Sequence, residues 1–538
     1  MKKIESLFIG VALCTIIAVI GGALFINVSG APDEKTESFP TTQFGAYLAA
    51  QHAIYVNDFD AAARFSDVLT DTQYVTVQNT KFLSEFLNGK MPTDVKLLKK
   101  EQGAAARIIY DAYLVTQDDW KEFHNRHKKD TAALSAPFRI WSAIANDWRT
   151  NTFKFIDTLS TNASWRAFVR GQIYAELGDV DTANKEFANV HPDFMNINDY
   201  LYIMSFYNHF GLTEDARILR EDFTARPGGM FMANFDDFPA WETFSGYKNQ
   251  LAFSLVQSVS HTQVMMYSDL AVLFLRFAEI TAPEFAKNSD AINYYLGQYF
   301  YTNSGDYQKY FDKISDASPF KMFAYLRVSE RTKNIDELMV VLDKNPLFVP
   351  AINAVVSHNI KNGNRRAALR VVNRALESPE LTDVGRAFFY KIRAHINYVF
   401  GDLEDAQSDL HHASQVLNAD SDILSLQAKI WATQKREVEN AHDYAMSLVK
   451  INPADVFAWD TLAYVVNVRE GADAALEVLE RVGEVSNTCS SLFEQLGDLY
   501  SQKQDSVRAR AAYLRAIELA DDGLVVVPVL ERKLRKLK

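Results

Sequence analysis

From residue 44 onward, apolar residues return every three or four positions between short polar breaks, which predicts a succession of helices. Near the C-terminus the pattern acquires a fixed step. In SSLFEQLGDLYSQKQDSVRARAAYLRAIEL, small and large residues stand at Leu496, Gly497, Tyr500, Ala509, Tyr513 and Ala516. One unit earlier, Trp459, Leu462, Ala463, Ala475 and Leu479 hold the equivalent places. One unit before that come Ala428, Ala441, Ala445 and Pro453, and Ala441, Ala475 and Ala509 are each 34 residues apart. A fourth unit, with Ala394, Ala406, Leu410 and Ala413, keeps the internal spacing one residue out of register.

A small residue on the first helix, such as Gly497 or Ala463, lets the second helix approach, and the alanine of the second faces it. One such pair cannot bury its apolar face alone, so the units must stack. Gly401-Asp402 marks the turn between two helices: glycine takes the left-handed position and Asp opens the next helix. Upstream the spacing recurs with more decay. It appears at Gly171, Tyr174, Ala183 and Phe187, at Ala50 and Ala62, at Leu296, Gly297 and Phe300, and at Ala368, Val372 and Ala375. Residues 79 to 160 and 240 to 285 read as helical without a clean register, and 226 to 241 as a long loop.

The N-terminus follows a different rule. Lys2 and Lys3 precede an uncharged stretch, and Leu7 to Ile26 is long enough for a helix of about 30 Å, the hydrocarbon thickness of a bilayer. An uncleaved anchor is expected, because a cleavable signal has a shorter apolar core. The alternative is a signal peptide cut after Ala31, against which Pro32 counts. The lysines place the N-terminus in the cytoplasm. The expected location is therefore the inner (cytoplasmic) membrane, single-pass, with the repeats periplasmic; after cleavage the chain would instead be soluble in the periplasm. The organisation expected is an anchor or signal at 1–28, a linker at 29–43, degenerate repeats at 44–225 and a middle region at 226–345. A regular array at 346–520 and a basic tail at 521–538 complete it.

The repeats resemble those of a broad family of tetratricopeptide-repeat (TPR) proteins of bacterial, particularly proteobacterial, envelopes. FGAYLAAQHAIYVNDFDAAARF is similar to an opening repeat and AFVRGQIYAELGDVDTA to a middle one. FAWDTLAYVVNVREGADAALEVLERV and the unit after it resemble a closing pair. The resemblance implies an all-α, TPR-like α-solenoid, a right-handed superhelix of helix hairpins, preceded by one N-terminal transmembrane helix. It also implies that first-helix residues line a concave groove. Those residues are Phe388, Lys391, His395 and Tyr398, then Ile423, Leu426, Ile430 and Thr433. Phe457, Asp460, Tyr464 and Asn467 follow, then Ser491, Glu494, Asp498 and Ser501. The set lacks the Lys and Asn pattern of a carboxylate clamp. Its character, apolar at one end and acidic at the other, suits a protein segment with apolar anchors and basic residues.

Composition narrows the function. The 538 residues carry a net charge of −12, which disfavours nucleic acid as a partner. Only Cys14 and Cys489 occur, so neither a disulfide framework nor a CxxC metal site is expected. No phosphate-binding glycine loop, dinucleotide fingerprint, HExxH or GxSxG is present. The sequence therefore predicts no catalytic residues, no cofactor, no metal and no small-molecule substrate. His124 and His127 share a helix side, but Arg126, Lys128 and Lys129 oppose a cation, so a solvated face is expected. His411 and His412 point apart, and Asp118-Asp119 reads as a helix cap. The cations Arg532, Lys533, Arg535, Lys536 and Lys538 read as a polar capping helix, with contact to anionic lipid or an acidic partner as the other reading. The function expected is a membrane-anchored scaffold or adaptor for other proteins in the envelope. An accessory subunit of an export or cell-wall assembly machine is the alternative. An enzyme with its site in residues 190 to 300 is the third reading, disfavoured by the aromatic character of that stretch.

Overall fold

The computed structural model describes residues 42–537 except 70–74, 102, 160, 263–267, 304, 481 and 483–487. The apolar segment read as anchor or signal therefore lies outside the described residues, as does most of the linker. Among the described residues, no helix is long and apolar enough to cross a membrane.

The described chain is helical throughout, and successive helices pair as antiparallel hairpins. In the C-terminal part these are Ser421–Gln434 with Val438–Ile451, Val456–Glu470 with Ala472–Glu480, and Ser490–Gln502 with Ser506–Leu519. The second helices begin at Val438, Ala472 and Ser506, each 34 residues beyond the one before. Ala441, Ala475 and Ala509 are fully buried in them, as the step requires. Ala62, Ala183, Ala368 and Ala406 are buried in the same way in earlier hairpins.

The glycines of the first helices explain the close approach. A Cβ on Gly171 would stand 2.4 Å from the Phe187 ring, one on Gly297 2.4 Å from Phe311, and one on Gly497 2.4 Å from Tyr513. In each hairpin an aromatic ring of the second helix thus lies flat against bare backbone. Gly171→Ala should gain about 1 kcal/mol of helix propensity but lose about 1–3 kcal/mol to overpacking. A net loss in urea unfolding, largely recovered when Phe187→Leu is added, is expected. A net gain from Gly171→Ala alone would show that the ring yields freely.

The turns within hairpins share one device, a left-handed residue followed by a helix-opening Asp. Gly178 (φ +77°) precedes Asp179, which accepts from the Thr182 amide. Gln504 (φ +61°) precedes Asp505, which accepts from the Arg508 amide. Asp118 and Asp119 belong to this set, with Asp119 accepting from the Glu122 amide at 3.1 Å. Gly401 is left-handed (φ +87°), but the Asp402 side chain pairs with Arg365 rather than capping its own helix.

The unregistered stretch around 240 to 285 holds the centre of the N-terminal half. Helices Tyr247–His261 and Asp269–Thr281 pack on each other and are enclosed by the earlier hairpins. Every residue from Gln250 to Gln257 and from Ala271 to Ala278 is buried. Trp141 Nε1 donates to Ser254 Oγ at 2.9 Å, and Tyr202 OH donates to Gln250 Oε1 at 3.0 Å. Phe138 lies edge-on to Phe274 and Phe277. The first hairpins wrap this pair, so the interior of the N-terminal half is filled rather than open. The stretch 226 to 240 carries no α-helix, with one short turn of 3-10 helix at Met230–Met232, and a second, Trp241–Thr243, follows it.

One expectation is corrected. His124 and His127 are not on a solvated face; both are buried on Trp120–His127. His127 Nε2 meets Asp111 Oδ2 at 3.0 Å and Nδ1 meets Asp130 Oδ2 at 2.8 Å. Two carboxylates on the two ring nitrogens call for the imidazolium. Burial opposes the charge, yet the hydrogen bonds to Asp111 and Asp130 outweigh it and raise the His127 pKa. A raised folded pKa stabilises fully below the unfolded value of 6.5 and loses that contribution as pH rises through the folded pKa. The stability difference between the native chain and His127→Gln should therefore shrink as pH climbs above 6.5. A difference that grows or stays flat across that window would reverse the assignment.

Candidate interaction groove

The first helices of the C-terminal hairpins carry the expected groove residues, and the segment from Ala520 to Lys536 packs against two of them. After Ser506–Leu519 the chain turns at Ala520–Asp522 and Gly523, then enters the terminal helix Val527–Lys536. Asp522 accepts from the backbone amide and the hydroxyl of Ser490, at 2.8 and 2.6 Å, and so caps the helix Ser490–Gln502 from a distance. Asp521 pairs with Lys361 at 2.7 Å. The Gly523 carbonyl accepts from His395 Nε2 at 3.2 Å. Gly523 is left-handed (φ +76°), and a Cβ there would stand 2.5 Å from Ser357 Oγ and 2.8 Å from its Cα. Only glycine passes this point without displacing the backbone. Val526 and Pro528 then pack beside Gly363. The tail thus joins the last hairpin to helices that precede it by more than 120 residues.

The terminal helix supplies a matched pair of chemistries. Leu530 is fully buried, with Val525, Tyr513 and Ala516 in the same cluster. Lys533 Nζ donates to Glu494 Oε1 at 2.8 Å and to both Asp498 oxygens at 2.7 Å. Burial raises the Glu494 pKa despite Lys533. Burial alone would lower that of Lys533, but Glu494 and Asp498 hold it raised. The basic run of the sequence thus lies on the helix Val527–Lys536, with one cation, Lys533, turned to Glu494 and Asp498.

The remaining groove positions divide into three kinds. Leu426 and Ile430 face the core and are buried, not presented to solvent. Lys391 pairs with Asp420 and Asp422, each at 2.9 Å, and Tyr464 OH is 2.9 Å from Thr433 Oγ1, with Tyr398 beside them. Asp460 is 1 % exposed and receives Lys429 Nζ at 2.6 Å, Ser491 Oγ at 2.7 Å and Gln495 Nε2. Phe457, by contrast, is 52 % exposed, and Asn467 is half-buried. The acidic end of the groove is thus not an open acidic patch, because Asp460, Glu494 and Asp498 each face a cation of the same chain. His411 and His412 lie exposed on a second helix, away from these groups.

Spacing along the sequence could not reveal Ser357, Lys361, Asp521, Asp522 or Gly523 as groove residues. The one local sign was the Asp-Asp-Gly run after the last helix, which reads as a stop and a turn.

No protein-family model matches the chain, and no curated protein matches it. Two solved structures with similarity to it are the APC/C heterotetramer Cut9–Hcn1 and yeast Tom70. Cut9–Hcn1 aligns at 15% identity over 92% of this chain and 97% of that chain, with a TM-score of 0.32. Yeast Tom70 aligns at 13% identity over 92% of this chain and 99% of that chain, with a TM-score of 0.29. At such scores the fold rests on the hairpins themselves. Their 34-residue step, buried alanines and glycine–aromatic contacts define an all-α array of stacked hairpins of tetratricopeptide type.

Proposed function

We propose that this chain is a membrane-anchored interaction scaffold whose C-terminal groove takes a protein segment with apolar anchors and basic residues. One observation carries the reading: the groove already holds such a segment in cis, with Leu530 buried and Lys533 between Glu494 and Asp498. A partner helix of the same chemistry would compete for that seat, and exposed Phe457 offers it a further apolar contact. The anchor at Leu7 to Ile26 would hold the array on the periplasmic side of the inner membrane, where partners of the cell envelope are available.

The test compares the native chain with Lys533→Glu and Gly523→Ala, two independent ways of loosening the tail. Each is captured in mild detergent from cross-linked native cells, and bound proteins are identified by mass spectrometry. A stoichiometric envelope partner, retained or enriched when the tail is loosened and lost on Phe457→Asp, is expected. Recovery of the chain alone in all three forms would remove the scaffold reading. Washing membranes at alkaline pH checks the anchor separately: an uncleaved anchor keeps the chain in the pellet, whereas release means that it was cut.

A further inference from the structure

A cavity of about 900 Å³ opens beside His124, between the helices Trp120–His127, Ala136–Ala145 and Arg149–Thr158. Five basic side chains line it: His124, Lys128, Lys129, Arg139 and Lys154. No Asp or Glu does. That is unusual wall chemistry for a chain of net charge −12. Asp130, in the loop after Trp120–His127 and outside the wall, is hydrogen-bonded to His127, and Arg139 Nη1 donates to the Asp130 carbonyl at 2.6 Å. Lys128 donates to Asn125 rather than to an acid.

Among the described residues the wall thus gathers basic groups with no carboxylate beside them, and Asp130 acts on Arg139 only from outside it. Burial lowers the His124 pKa, and the charges of Lys128 and Arg139 lower it further. The wall also carries donors and flat surfaces. Thr131 and Asn151 offer a hydroxyl and an amide, whereas the Thr152 hydroxyl is taken by the Trp148 carbonyl at 2.9 Å. Trp148 stands edge-on to the His124 ring at 4.2 Å, and Phe155 lies 3.8 Å beneath the Arg139 guanidinium. A guanidinium stacked on a ring is held in place with its N–H groups directed outward. Cavities that hold organic ligands span about 300–1,000 Å³, so this one has room for more than a bare ion.

We infer that the cavity bounded by His124, Lys128, Lys129, Arg139 and Lys154 is a binding site for a phosphate-bearing anion. Phosphate matches the wall because its several charged oxygens can accept from ammonium, guanidinium and hydroxyl groups together. The phosphate could belong to a soluble metabolite or to a phospholipid headgroup, and the test separates the two.

The full chain in non-ionic detergent would be titrated at low ionic strength with inorganic pyrophosphate by calorimetry. In parallel, it would be mixed with vesicles of phosphatidylcholine alone and of phosphatidylcholine with phosphatidylglycerol. The variant Lys128→Gln/Lys129→Gln/Lys154→Gln removes three exposed cations and leaves the buried His124 and the half-buried Arg139 in place. Lys344→Gln/Lys450→Gln is the control for general loss of charge. The expected result is one equivalent of pyrophosphate per chain, weakened about tenfold or more by the triple substitution and unchanged in the control. Binding of pyrophosphate without vesicle binding identifies a soluble ligand. Vesicle binding that needs phosphatidylglycerol, is lost in the triple variant and yields to pyrophosphate identifies a headgroup. Binding of neither probe, or equal loss in the triple variant and the control, would overturn the site. Trp148 gives an internal check, since pyrophosphate should alter fluorescence in the native chain and not in Trp148→Phe.

Discussion

Asp460→Ala is expected to destabilise the C-terminal array by about 3–5 kcal/mol, the cost of leaving a buried charge without its partner. Asp460 is 1 % exposed, and its carboxylate takes Lys429, Ser491 and Gln495 from two neighbouring hairpins. Removing it strands Lys429, whose side chain is only 15% exposed. Lys429→Met in the same chain should recover most of the loss, because a thioether fills the space without a charge. Urea unfolding, followed by hydrogen exchange over 421–502, measures both steps. A loss under about 1 kcal/mol, or no recovery from Lys429→Met, would show that the pair is not the bond between these hairpins. The consequence for function is direct. Replacing Asp460, Glu494 and Asp498 together would test folding before it tested binding, so the groove is better probed through exposed Phe457 and tail residue Lys533.

What could be read from the sequence follows from what each contact demands. Ala441, Ala475 and Ala509 are visible because a close helix approach tolerates nothing larger, and the step repeats while the hairpin geometry does. Gly171 and Gly497 are visible for the same reason, each beneath a ring of its partner helix. The central pair was not legible as a unit. From Ala271 to Ala278 every side is buried, so no polar face remains to set a period. His124 and His127 were misread because the neighbouring Lys128 and Lys129 suggest a wet face. Their partners Ser142 and Asp111 come from adjacent helices, which spacing along one helix does not reveal. The tail is the clearest case. Its cations were plain, but which of them turns inward depends on the curvature that brings Ser357 and His395 to Gly523.

Arg276 carries the second large effect. It sits in the helix Asp269–Thr281 at 4 % exposure, a cation placed among apolar neighbours. Its Nε donates to the Leu87 carbonyl at 2.7 Å, Nη1 to Glu279 at 2.5 Å and Nη2 to the Tyr310 hydroxyl at 2.6 Å. Leu87 ends the helix Val75–Leu87, so the guanidinium also meets the negative end of a helix dipole. One planar group thereby joins the opening hairpins, the central pair and the short helix Gln308–Phe311. Burial opposes its charge, and Glu279 with Tyr310 more than offsets this and raises its pKa, so it stays charged. Arg276→Ala should cost about 3–5 kcal/mol, leaving a buried carbonyl and hydroxyl without a donor as well as a cavity. Arg276→Lys should rescue little, since one ammonium cannot meet three acceptors in fixed directions. The loss should appear as faster hydrogen exchange at both 84–89 and 308–311, two segments more than 200 residues apart. Faster exchange confined to one of them would mean that Arg276 supports that segment alone, and that apolar packing of the central pair by itself holds the N-terminal half closed.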